Sequence, residues 1–89
     1  MPVALSVDCL ATQGNHMPMW VTSNTAVAGD NGVVRERDSD EALSYGVDTL
    51  SNYVARLSFD VMMEEFAGTY FCISGISGQF AEIYITTGN

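Results

Sequence analysis

The sequence predicts an all-β sandwich built from short antiparallel strands. Apolar and polar residues alternate with period two in several short runs, and turn-forming residues recur between those runs. Two cysteines far apart in the chain, Cys9 and Cys72, bracket the only tryptophan, Trp20. Short half-buried strands of this kind are stable when two sheets pack face to face.

The first strand is expected over Val3–Cys9, where Val3, Leu5, Val7 and Cys9 alternate with Ala4, Ser6 and Asp8. Thr12 to Pro18 is polar and reads as a loop, and Met19 to Ser23 forms the next strand with Trp20 turned inward. Gly29-Asp30-Asn31-Gly32 is a hairpin signal within Thr25–Val34. Arg35 to Glu41 is a charged, exposed stretch. Leu43 to Val47 is expected as a short edge strand interrupted by Gly46, with a turn over Asp48–Asn52. Ala55, Leu57 and Phe59 alternate with Arg56, Ser58 and Asp60 in another strand. Met62 to Phe66 reads as one helical turn at a corner. Thr69 to Ser74 returns as a strand with Tyr70 and Cys72 inward, Gly75 to Gly78 makes a tight turn, and Phe80 to Thr86 closes the sheet.

The 89 residues are expected to form one domain, 1–89, near the lower limit of what an apolar core stabilises unaided. An even cysteine pair without a histidine cluster reads as one disulfide, which implies an oxidising compartment; the alternative is two buried free thiols. Closing so long a loop contributes about 4 kcal/mol by the chain-entropy account. The formal charge is −8, from eleven carboxylates against three arginines and no lysine. Nucleic acid and anionic membrane surfaces are therefore poor partners, because both demand clustered cations. No apolar run is long enough to insert in a membrane. Met1-Pro2 reads as an expression start, with any leader or anchor expected outside this stretch.

The segment ending Glu65-Phe66-Ala67-Gly68-Thr69-Tyr70-Phe71-Cys72, together with Cys9 and Trp20, resembles the pattern of the immunoglobulin superfamily. Leu57, Phe59, Met62, Gly68, Tyr70 and Cys72 fall on its Leu-x-Ile, apolar and Asp-x-Gly-x-Tyr-x-Cys positions. The resemblance covers nearly the whole chain. It implies a two-sheet Greek-key sandwich with an inter-sheet Cys9–Cys72 disulfide and Trp20 packed over it. Leu57, Phe59 and Met62 would lie in the core, and the Tyr70 hydroxyl would bond back to the corner backbone. Two features depart from the pattern. Phe66 stands where the family has aspartate, so the usual aspartate–arginine pair is either missing or rebuilt from Glu65 with Arg35 or Arg37. Few residues precede Cys9, so strand A is absent, truncated or reduced to Met1-Pro2. The intervals from Cys9 to Cys72 and from Trp20 to Leu57 resemble the variable-type set, with room for additional C′ and C″ strands. No Phe-Gly-x-Gly bulge follows Cys72, so a non-rearranging variable-like domain is expected.

No catalytic constellation, metal site or cofactor site stands out. His16 is the only histidine and lies in a loop without ligands at suitable spacing. Asp38-Ser39-Asp40-Glu41 lacks the glycine turn of a calcium loop and reads as a solvated acidic stretch. No asparagine begins a glycosylation sequon.

Alternation places Met19, Val21, Phe71 and Ile73 on an outer sheet face, joined by Ala81, Ile83 and Ile85 or by their alternate neighbours. Such a face is unusually apolar for a monomer, although packing beneath loops or against a neighbouring domain would also explain it. The resemblance implies an extracellular recognition or adhesion module of a membrane-anchored receptor, non-enzymatic, binding protein through the GFCC′ sheet, with a homodimer as the favoured form. The alternative is a ligand-sensing module, as in a receptor tyrosine kinase ectodomain or an innate immune receptor, using Gln13–Pro18 and Gly75–Gln79 for a soluble factor or glycan. A plain spacer domain is the third expectation.

Overall fold

A computed structural model describes residues 3–11, 17–37, 43–74 and 79–87, with 79 and 80 described for their backbone alone. Among the described residues, six strands form two antiparallel three-stranded sheets. In the first, β1 (Leu5–Leu10) and β3 (Tyr45–Ser51) flank β4 (Val54–Phe59). In the second, β2 (Met19–Thr22) and β6 (Gln79–Ile85) flank β5 (Gly68–Ser74). The chain changes sheet after β1, β2 and β4, while β3–β4 and β5–β6 are local hairpins. The Cys9–Cys72 disulfide joins β1 to β5 and so ties one sheet to the other.

Period-two patterning places the core as the sequence predicts. Cys9, Trp20, Ala55, Leu57, Phe59, Tyr70 and Cys72 are buried, and Met62 packs half-buried against them. Trp20 Nε1 donates to the Ala55 carbonyl at 3.0 Å, a second link between the sheets. Its one polar atom is thereby satisfied, which a buried indole requires. The Tyr70 hydroxyl donates to the Phe66 carbonyl. Among the described residues, no buried side-chain nitrogen or oxygen lacks a partner.

Phe66 explains its own departure from the family pattern. It ends a 3₁₀ turn over Glu64–Phe66 and is only 4% exposed. Its ring lies 5.2 Å from Phe59 and 5.3 Å from Tyr45 by centroids, and Phe59 meets Tyr70 edge-on at 6.0 Å. An aromatic cluster fills the space at this corner, where aromatic contacts add to simple burial. The ion pair is rebuilt, though not from Glu65. Arg37 donates to Asp60 at 2.9 Å, and also to the Leu43 carbonyl at 3.1 Å and Ser58 Oγ at 3.3 Å. Glu65 is exposed, and its backbone carbonyl accepts from Asn24 instead.

The chain between β2 and β3 departs most from expectation. Gly29–Gly32 does reverse the chain, with Asn31 and Gly32 at positive φ and an Ala28–Val34 bridge closing the turn. Val33 then bridges Val21, so the C′ position carries isolated bridges and no strand among the described residues. After Val34 the chain leaves that sheet and runs beside β3, with Val47 N–H donating to Arg35 O at 2.9 Å and Arg37 N–H to Val47 O at 3.0 Å. Gly46 permits this crossing. Its φ is +146°, and a Cβ there would lie 2.8 Å from the Arg35 carbonyl oxygen and 2.5 Å from Arg37 Cγ. The expected interruption at Gly46 and turn over Asp48–Asn52 are therefore corrected. The strand continues to Ser51, held by Asp48 opposite Arg56 and Thr49 opposite Ala55. Polar composition on this edge strand imitates a turn.

Strand A is not formed by the first described residues. Val3 and Ala4 precede β1 without strand pairing, although the Val3 carbonyl accepts from Met62 N–H at 2.8 Å.

Candidate protein-binding face

The outer face of β2, β5 and β6 is set by register. Trp20 pairs with Cys72, and Cys72 with Ala81, so these positions share one side, on which Trp20 and Cys72 are buried and Ala81, on the edge strand, is exposed. The intervening rows face outward: Met19 opposite Ile73, and Val21 opposite Phe71, which in turn opposes Glu82. Met19 is 43% exposed, while Val21, Phe71 and Ile73 are half-buried. The four residues picked out by alternation thus stand together on one face.

Three further residues complete it. Val33 continues the Val21 row through its bridge and is partly exposed. Tyr84, opposite Thr69, is 70% exposed. Glu82, at the other end of the Val33–Val21–Phe71 row, is exposed. On β6 the outward set is therefore the alternate neighbours, since Ile83 and Ile85 pack inward. Alternation already contained this answer, but a β6 sequence apolar at both alternating sets of positions left its phase open. Beside Met19, a cleft of about 200 Å³ lined by Met17, Val33, Val47, Thr49 and the acidic Glu36 continues the surface toward the β3 edge.

The arginines are engaged elsewhere. Arg56 makes a two-point contact with Asp8, at 2.8 and 3.1 Å, on the outer face of the other sheet. That contact holds the Asp8 carboxyl below the usual aspartate range and raises Arg56. Arg37 is paired with Asp60, and Arg35 donates to the Tyr45 hydroxyl at 3.1 Å. Behind the face, burial pushes the Tyr70 hydroxyl up to about 12.

Asn24 is a structural residue that sequence reasoning missed. Its Nδ2 donates to Glu65 O at 3.0 Å and Ala67 O at 2.9 Å, and its Oδ1 accepts from Ala26 N–H at 2.9 Å. It fastens the turn after β2 to the corner before β5. The Asn-Thr dipeptide signals a turn but not this distant partner.

His16, the acidic stretch Asp38–Glu41 and the loop tip Gly75–Gly78 lie outside the described residues, as do most of the Gln13–Pro18 loop and Met1-Pro2. No family model, curated protein or solved structure matches the chain.

Proposed function

We propose that this chain is an immunoglobulin-superfamily recognition module from the extracellular part of a cell-surface protein, and that it binds another protein through the outer face of β2, β5 and β6. The observation that carries the reading is the run of Met19, Val21, Val33, Phe71, Ile73 and Tyr84 on one sheet face, with Glu82 the one charged residue in its rows. A sheet face turned to solvent is ordinarily polar, and contiguous apolar exposure marks an interaction surface. The superfamily reading is supported by the strand orders β1-β4-β3 and β2-β5-β6, the disulfide, and the Trp20 and Tyr70 contacts. A disulfide of this kind supports an oxidising setting outside the cytosol.

The test is a ¹⁵N NMR titration of the oxidised domain with phenol, a small aromatic probe of protein-binding hot spots. Shifts concentrated at Val21, Phe71, Ile73 and Tyr84, and lost in Phe71→Lys, are the expected result. A maximum within 75–79 would transfer recognition to the loops. Small shifts spread evenly over the domain would remove the face as a binding surface.

A further inference from the structure

We infer that the partner of this face presents an arginine or lysine to Glu82, and that it is a different protein and not a second copy of this chain. The inference rests on reading the face as a protein-binding surface. Glu82 stands directly opposite Phe71, with Tyr84 two residues further along the same strand. Residues so opposed hold their Cβ atoms about 5 Å apart, which sets Glu82 at the edge of the apolar patch. Any body that covers Val21, Phe71 and Tyr84 strips water from Glu82. Desolvation of a carboxylate is unfavourable unless a cation replaces the lost water.

Each arginine of a second copy already holds a partner of its own. The chain carries three arginines. Arg37 is bound to Asp60, Arg56 to Asp8 and Arg35 to the Tyr45 hydroxyl. Each copy also brings a charge of −8, so self-pairing sets like charges together. A foreign arginine answers both difficulties. Its aliphatic stem covers Val21 and Phe71, its guanidinium reaches the Glu82 carboxylate, and its plane lies against an aromatic ring. Glu82 thus selects the partner by charge, while the apolar rows supply contact area.

The test compares two peptides on the ¹⁵N-labelled oxidised domain: acetyl-Tyr-Arg-Tyr-amide and its neutral isostere with citrulline for arginine. Shifts should centre on Val21, Phe71 and Glu82, with the arginine peptide about threefold tighter, as for an exposed ion pair. That advantage should vanish in Glu82→Gln and shrink on adding salt. Equal binding of the two peptides on the face would overturn the cation preference and leave the docking surface standing. An arginine preference that survives Glu82→Gln, or that centres on Glu64 and Glu65, would overturn it as diffuse attraction to an acidic domain. Absence of shifts on the face with either peptide would overturn the docking surface as well.

Discussion

The Tyr70 hydroxyl donates to the carbonyl of Phe66, four residues earlier, and the two rings flank Phe59 in one aromatic cluster. Backbone turn and core are thereby joined by a single side chain. Tyr70→Phe removes the donor, leaves a buried carbonyl unpaired and should destabilise the domain by about 1–2 kcal/mol in urea unfolding.

The same hydroxyl gives the domain an alkaline limit. Its pKa rises from the ordinary 10.0 to about 12 because burial disfavours the phenolate. The folded value lies above the unfolded one, so the contribution of Tyr70 is intact below pH 10 and is lost as pH climbs through about 12. Stability measured from pH 9 to 12 should fall, and Tyr70→Phe should show a shallower fall. Parallel curves for the two proteins would show that other groups govern the alkaline limb.

Phe66 should be among the costliest positions to change. Phe66→Ala opens a cavity against Phe59 and Tyr45 and should cost about 3–5 kcal/mol. Phe66→Asp should be worse, because Arg37 is already held by Asp60 and a carboxylate would enter an aromatic cluster. Denaturant midpoints of the two variants give the comparison. An Asp variant more stable than the Ala variant would mean that Arg37 can change partners.

Gly46 should tolerate no side chain. Gly46→Ala meets an unfavourable φ and an overlap with the Arg35 carbonyl, and should lose at least about 2 kcal/mol. Gly29→Ala makes a useful control, since its φ is −90° and its nearest contact, Val33 O, lies at 3.2 Å. Thermal melts of both should separate by several degrees, with Gly46→Ala the lower.

Removal of the disulfide should cost about 2–5 kcal/mol. Cys9→Ala/Cys72→Ala is expected to lower the urea midpoint accordingly, and thiol titration of the unfolded wild-type domain should find no free cysteine. Two titratable thiols in the purified protein would favour the alternative of buried free cysteines.

Much of the sandwich was legible because its signals are local. The alternation in Leu5-Ser6-Val7-Asp8-Cys9 and in Ala55–Phe59 dictates which side chains turn inward, and no tertiary information is needed for that. Met19, Val21, Phe71 and Ile73 follow from the same rule once Trp20 and Cys72 are taken as inward. What escaped depends on which residues meet in the folded chain. Asp48–Ser51 has a turn's composition and becomes strand only because β4 pairs with it. Arg37 had several acids within reach, and only the path of the chain over Gly46 brings it to Asp60. Phe66 breaks a familiar pattern on paper, whereas in the fold it is where three aromatic rings meet. Glu82 was hidden by the unresolved phase of β6.

The strand pairings that build each sheet are also a statement about speed. β1 finds β4 with Cys9 opposite Ala55, and β2 finds β5 with Trp20 opposite Cys72, so each pairing spans more than half of the chain. Only the β3–β4 and β5–β6 hairpins are local. Non-local pairing must close long loops before contacts repay that entropy, which places such a topology among slow folders. The Cys9–Cys72 bridge brings together the strands that would otherwise search longest. A chain refolding with its bridge intact therefore starts with that search already shortened, and should reach the native state sooner than the reduced chain.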